Sequence, residues 1–443
     1  MRYIPNTKEQ KEEMLKEIGA SSVEDLLKDI PASARVKGKL NLPSPLSEEE
    51  VKEKIYNISK KNLDFFFYKP LVGAGAYRHT VPEAVKAIIS REEFYTSYTP
   101  YQPEISQGNL QSMFEYQTHI SRLTGMDVVV PSIYDGASAT AEAALMALRL
   151  THKNKVIVSQ LVHPHYRETL NTYVEPHDTK VVEIPYKNGL TDIEKLKDSI
   201  DNETAAVIIQ SPNFFGGIED IEKISKIAHE SGAIMVQVIA ESMSLGLLKQ
   251  PAKMDVDIVA GEAQSFGMDI NFGGPFNGYL CSKMKFIRQI PGRIAGETVD
   301  KNGNRGFVMT FRAREQDIRR EKATSNICSN HALNIVAGNA YLSLVGKQGL
   351  KKIAEYNVKA AHYLRSKLLE SGKFEQIDYP FFNEFILKTD NKDSLKEKLI
   401  KNNFIPPLDL SLFYPELEGF MLFCTTEIFS KDDIDSIAQI IGG

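Results

Sequence analysis

Seven short apolar runs, at residues 127–130, 155–159, 179–184, 205–210, 233–239, 257–260 and 278–281, constrain this chain more than any other feature. Each has the length and β-branched content of a strand buried on both faces. Helical patterns lie between most of them, at 138–150, 164–173, 192–198 and 218–231. Strands alternating with helices build a mostly parallel sheet covered on both sides, because each parallel crossover carries a helix back over the sheet. The expected fold class is α/β. Ligands of such sheets bind just past the carboxyl ends of the strands. That rule points to the stretch 255–281, DVDIVAGEAQSFGMDINFGGPFNGYLC. Its strand runs into a polar segment that offers Glu262, Gln264 and Ser265, followed by a glycine turn at Gly273 and Gly274.

Three segments organise the chain around that sheet. Residues 1–62 read as a helical arm: Thr7 with Gln10, and Ser21 with Glu24, have capping-box spacing, Pro31 stops the second helix, and Ser47 opens a third with Val51, Ile55 and Ile58 on one face. Such arms pack on their own domain or on a partner subunit. Residues 63–315 form the large domain. Residues 316–443 form a long helix, 316–345, and a smaller α+β domain: helix 358–371, strand 385–387, helix 394–401, strand 420–424 and helix 431–441. Within the large domain, 63–77 is apolar and then glycine-rich, as core followed by a tight turn is. The segment 94–107, FYTSYTPYQPEISQ, holds three tyrosines and two prolines without helical or strand period, and so is a loop. Its tyrosines suit recognition and suit packing on the body of the fold equally well. A helix follows at 108–125, and KNGNRG at 301–306 is an exposed turn.

Composition excludes several function classes. A net charge of −5 over 443 residues gives no general reason to expect nucleic acid or an anionic membrane. No run is long and apolar enough to span a bilayer, and the opening residues alternate charge, unlike a signal peptide. Three cysteines without CxxC spacing indicate neither a disulfide framework nor a zinc site, so no metal is expected and a reducing cytoplasm is the simplest setting. The segment 134–140, YDGASAT, joins a strand to a helix. Gly136, Ala137, Ser138 and Thr140 there form either an anion cup at a helix N-terminus or a plain turn and cap.

Several long segments together carry a resemblance: IPNTKEQKEEMLKEIGASSVEDLLKDIP, YTPYQPEISQGNLQSMFEYQT, DGASATAEA, GEAQSFGMDINFGGPFNGYL and REQDIRREKATSNICSNHAL. Through them nearly the whole chain closely resembles the P-protein (glycine decarboxylase) family of the glycine cleavage system, in its split form, on the side of subunit 1, the α subunit. The resemblance implies an aspartate-aminotransferase-like fold, that of the pyridoxal phosphate (PLP) enzymes of fold type I. It also implies a heterotetramer of two α and two β subunits. In the implied reaction glycine joins PLP, loses CO2, and its aminomethyl group passes to the lipoyl arm of the H-protein.

The resemblance also implies what this chain lacks. Catalytic members carry a His-Lys pair where this sequence has Gln264 and Ser265, and an aspartate beside the pyridine nitrogen where it has Gln237. Serine forms no imine, and an amide does not pair with a pyridinium. PLP is then expected on the β subunit, with this chain completing the site across the interface and the cup at Gly136 to Thr140 vestigial. Tyr98, Tyr101, Gln102 and Arg312 are the expected contributors to the partner's pocket. Thr324 and Ser325 are the expected contacts to its PLP phosphate. Each has a plainer reading: the charges at 312–322 as a solvated helix, Thr324 and Ser325 as a kink or cap, His163 and His165 as structural residues. Two other functions remain open, a stand-alone PLP decarboxylase or aminotransferase, and a scaffold that docks the H-protein.

Overall fold

The structure, a computed structural model, describes residues 5–65, 67–271, 273–327 and 331–442. The chain divides into two compact units, Met1–Asn62 and Leu63–Gly443. The first unit holds helices Lys8–Glu17, Val23–Leu26 and Glu48–Ser59, and each starts on a capping box. The second box pairs Ser22 with Asp25, one residue later than the Ser21 and Glu24 spacing indicates. The Asp25 carboxylate accepts the N–H groups of both Ser21 (2.8 Å) and Ser22 (2.9 Å), which moves the helix start. No described residue of these three helices is buried, and Val51, Ile55 and Ile58 all face outward.

The second unit is built on a seven-stranded sheet: β1 (Val128–Ile133), β2 (Lys155–Ser159), β3 (Lys180–Ile184), β4 (Thr204–Gln210), β5 (Ile234–Ile239), β6 (Ile258–Glu262) and β7 (Gly278–Ser282). The strand order is β1-β7-β6-β5-β4-β2-β3. Strand β7 is antiparallel to both neighbours, and the remaining pairs are parallel. Each of the seven apolar runs falls on one strand. Successive side chains alternate between two cores. Ile157, Val207, Met235, Ile239 and Val259 pack with Leu110, Tyr116 and Ile120 of helix Gln107–Thr124. Val156, Val158, Ala206, Ile208, Val236 and Ala260 pack with helices Gly136–Thr151 and Pro164–Val174. Because both faces are covered, the strands read as continuous apolar runs. Gln237, at 4% exposure, is a polar side chain set between Met235 and Ile239 on the first face.

Two parts of the chain differ from expectation. The turn at 301–306 joins a hairpin, β8 (Ile294–Val299) and β9 (Arg305–Thr310), docked through reciprocal hydrogen bonds between the Gln107 side chain and Phe307. The predicted long helix 316–345 is not formed. A single turn, Gln316–Arg319, ends at Arg320 with φ +53°, and the long helix starts only at Ala332. Residues 314–322 offer no apolar stripe to bury: Ile318 is alone there and 54% exposed. From Ala332 the helix continues to Glu370 with a break at Gly346 (φ 60°, ψ 178°). Beyond it Glu375–Gln376, Glu384–Lys388, Phe420–Cys424 and Leu408–Asp409 make an antiparallel sheet, covered by helices Lys392–Lys401 and Lys431–Gly442. Phe385, Phe423, Leu395 and Ile437 lie in its core. Among the described residues no helix is long and apolar enough to cross a membrane, and no side-chain cluster suits a metal ion. Cys281 and Cys424 are buried free thiols, and Cys328 lies outside the described residues.

Candidate functional site

The crevice at the carboxyl ends of β5 and β6 is filled by the chain's own polar side chains. Glu241, two residues past the end of β5 and 1% exposed, accepts hydrogen bonds from Ser265 Oγ (2.8 Å) and Met243 N (2.8 Å) and meets His79 Nε2 at 3.0 Å. The other ring nitrogen of His79 meets Glu427 at 2.8 Å. Burial opposes charge on this imidazole, but the two carboxylates outweigh it and raise its pKa to about 10. Its positive charge balances the carboxylates on its two ring nitrogens, the buried Glu241 and the part-buried Glu427.

The segment that follows Leu71 crosses this crevice. Tyr77 Oη donates to Glu384 Oε2 (2.7 Å), and Ala74 N donates to Glu384 Oε1 (2.7 Å). Burial pushes the Glu384 carboxyl up to about 7. Gln264 bonds the backbone of Tyr77, and Gly75, at φ +93°, passes so close to His163 that a Cβ would lie 2.7 Å from its ring. His163 Nε2 lies 2.9 Å from the Ala74 carbonyl, and Nδ1 accepts from His165 N. Those partners assign the neutral Nε2–H tautomer, and burial lowers the pKa to about 4. The ring stacks on Tyr166 and meets Phe214 edge-on, which makes His163 a packed core residue in this chain. Gln237 donates weakly to the Ser211 carbonyl (3.4 Å), while its Oε1 has no partner.

The cup at the start of helix Gly136–Thr151 is engaged from within. Gly136 N donates to Glu262 Oε2 (3.0 Å), Ser138 N to Asp135 Oδ1 (2.7 Å), and the Thr140 hydroxyl to the Gly136 carbonyl (2.8 Å). Gly136, Ala137, Ser138 and Thr140 are all buried. Burial raises the Glu262 carboxyl to about 7 against the pull of its backbone donors.

The interface candidates lie elsewhere and fall into two groups. Tyr101 and Arg312 share an open pocket with Arg293, Gln316 and Asp317. Arg293 Nη2 donates to Tyr101 Oη (2.9 Å), its guanidinium stacks on the same ring at 5.0 Å, and its Nε is held by the buried Glu315 carboxylate (3.0 Å). Arg312 sits 6.0 Å from the Tyr101 ring and pairs with Asp317 at 2.9 Å. Tyr98 and Gln102 are exposed on the same loop and do not line this pocket. Thr324 N donates to the Arg314 carbonyl, and Ser325 Oγ donates to Glu142 Oε1 (2.7 Å) on helix Gly136–Thr151. Arg293, His79, Glu241, Glu384 and Glu427 escaped the sequence reading. Their partners are remote in sequence, up to 348 positions for His79 and Glu427, so no local motif marks them.

Comparison with known proteins agrees with the fold. The family described as glycine cleavage system P-protein matches residues 1–441. A relative in Carboxydothermus hydrogenoformans, named as a probable glycine dehydrogenase (decarboxylating) subunit 1, is 47% identical over 443 residues, the whole of both chains. The Bacillus subtilis relative of the same name is 46% identical over 442 residues, covering 100% of this chain and 98% of its own. Among solved structures, an inhibitor-bound glycine decarboxylase (P-protein) of the glycine cleavage system superimposes with a TM-score of 0.89 at 40% identity, over 100% of this chain and 99% of the other. A sphingosine-1-phosphate lyase from Burkholderia pseudomallei shares the fold alone, with a TM-score of 0.66 at 13% identity over 93% and 94% of the two chains. The architecture is that of the PLP enzymes of fold type I. With both compact units inside one end-to-end match, the chain belongs to the glycine cleavage system P-protein family, among the relatives named subunit 1.

Proposed function

We propose that this chain is the α subunit of a cytoplasmic glycine decarboxylase, and that it works in an α2β2 heterotetramer whose β subunit carries the PLP. The complex takes glycine, releases CO2 and passes the aminomethyl group to the lipoyl arm of the H-protein. The observation that carries this reading is Ser265: it follows β6 where the fold places its lysine, and its hydroxyl is committed to Glu241. PLP asks three things of its protein, namely a primary amine, a carboxylate at the pyridine nitrogen and a free anion cup. At the matching positions stand the Ser265 hydroxyl, the Gln237 amide and a cup engaged by Glu262. These residues do not fit the cofactor, and no step through it is assigned to them.

What the chain supplies is positioning across the subunit boundary. The pocket at Tyr101 gathers a phenol and two guanidiniums, groups that bind and orient a carboxylate. The Arg312–Asp317 pair is partly exposed, and such a pair is worth about 0–1 kcal/mol, so a substrate carboxylate displaces Asp317 at little cost. This cluster favours a contribution to chemistry over a pure scaffold. Thr324 and Ser325 are the proposed contacts to the partner's phosphate, with Ser325 exchanging its bond to Glu142 on assembly. Glycine–bicarbonate exchange by the sister subunit with and without this chain tests the reading. Exchange should appear only in the mixture, and full exchange by the sister alone rejects it.

A further inference from the structure

The crevice already contains a buried acceptor of its own. Gly136 is the first residue of a 16-residue helix, where unpaired N–H groups and the helix dipole favour negative charge. The side chain that meets it comes from the end of β6. Glu262 Oε2 accepts from Gly136 N (3.0 Å), and Oε1 accepts from Gln264 N (3.0 Å) and Asn277 N (3.0 Å). Backbone donors from three separate segments therefore converge on one carboxylate that is 1% exposed. Two more groups of the turn are engaged, Ser138 N on Asp135 and the Thr140 hydroxyl on the Gly136 carbonyl. On the other side Tyr166 packs so closely that a Cβ at Gly136 would lie 2.4 Å from its hydroxyl.

We propose that the Glu262 carboxyl is an internal occupant of the crevice: its oxygens take the donors that this fold offers to a phosphate ester, and so close the crevice to one whether or not an amine stands at position 265. This goes beyond the two-subunit reading, because it makes the missing amine insufficient to explain an empty crevice. Without such an acceptor, Gly136 N at the helix start and the N–H groups of Gln264 and Asn277 beside it would be buried and unpaired. The Glu262 side chain supplies that acceptor permanently, and a chain that never takes up cofactor keeps a closed crevice.

The test compares the thermal unfolding of the full chain and Glu262→Ala in chloride, inorganic phosphate and formate. The variant should melt lower in chloride and regain about 1.5 °C in phosphate or formate at roughly ten times the dissociation constant, while the native chain responds to neither. An equal rise for the native chain, or no rise for the variant in either anion, overturns the proposal. A second arm adds PLP and borohydride to Ser265→Lys with and without Glu262→Ala, and reads phosphopyridoxyl-lysine at 265 by mass spectrometry. The adduct should appear only in the double variant, and equal labelling of the single variant overturns the proposal. An adduct on the native chain at another lysine instead sinks the two-subunit reading, with the thermal arm still deciding this one.

Discussion

Gln264 clasps the backbone of Tyr77 at both of its hydrogen-bonding groups, accepting from the N–H and donating to the carbonyl, each at 2.9 Å, across 187 positions of sequence. The same amide nitrogen donates to the Met268 carbonyl (2.9 Å). A side chain that is 1% exposed thus pins the crossing segment onto the turn after β6.

Gln264→Ala strands three buried backbone groups at once. A buried group left without its partner costs about 1–3 kcal/mol, and some relaxation is expected, so the variant should lose about 2–5 kcal/mol. The urea midpoint should fall at unchanged slope. A loss below about 1 kcal/mol would show that the clasp closes without holding.

Glu384 and His79 should each contribute a loss of stability as pH rises, in two windows. The Glu384 carboxyl is raised from 4.5 to about 7 by burial, so the folded chain prefers it protonated. Its contribution is present below about pH 4.5 and is lost as pH climbs through about 7. His79 is raised from 6.5 to about 10 by its two carboxylates against burial, and its contribution is present below pH 6.5 and lost through about pH 10. Melting temperatures across pH 4 to 11 read both. Glu384→Gln should shrink the lower window, which Glu262 shares because burial raises its carboxyl to about 7 as well, and leave the upper one. His79→Gln should unfold at lower temperature at pH 7, by an amount set by the buried Glu241 carboxylate left without its counter-charge at about 3–5 kcal/mol, and show no upper window.

Tyr101→Phe should reduce glycine turnover by the reconstituted complex about 10–100-fold, the worth of one hydrogen bond to a charged group. Assembly, followed by gel filtration, should not change. Arg312→Lys keeps the charge and loses the planar fork, and should raise KM more than it lowers kcat. Unchanged turnover in both variants removes the pocket from the active site.

Gly216→Ala and Gly303→Ala separate strain from crowding. Both glycines have positive φ, +81° and +83°. A Cβ at Gly216 would stand 1.9 Å from the Glu384 carbonyl oxygen, whereas nothing lies within 4 Å of one at Gly303. Strain alone costs about 1 kcal/mol, and forced crowding of backbone adds about 1–3 kcal/mol. Calorimetry should rank the Gly216 variant well below the Gly303 variant, and equal losses refute the close approach.

Much of the architecture was legible because it rests on local periodicity. Runs such as 155–159 and 205–210 announce buried strands by composition alone, and Ser47 announces a helix start, because these signals depend on neighbours within a few residues. The helix expected at 316–345 failed for the opposite reason. Alternating charge suits a helix locally, but residues 314–322 have no apolar face for the body of the protein to hold. The hairpin β8–β9 also went unread, since strands as polar as Glu297, Thr298 and Arg305 make them are set by docking on Gln107 rather than by pattern.

The sequence by itself determined the α/β class, the family, and the residue types at the crevice: a serine, two glutamines and no lysine after β6. These are matters of chemical identity, and no packing changes them. Only the tertiary structure decided what those residues do with one another: that Ser265 and His79 share Glu241, that Gln264 holds Tyr77, and that Glu262 answers the donors at Gly136. Each contact joins segments far apart on the chain. Buried polar groups must find partners wherever folding brings them, and that search is made in space rather than along the sequence.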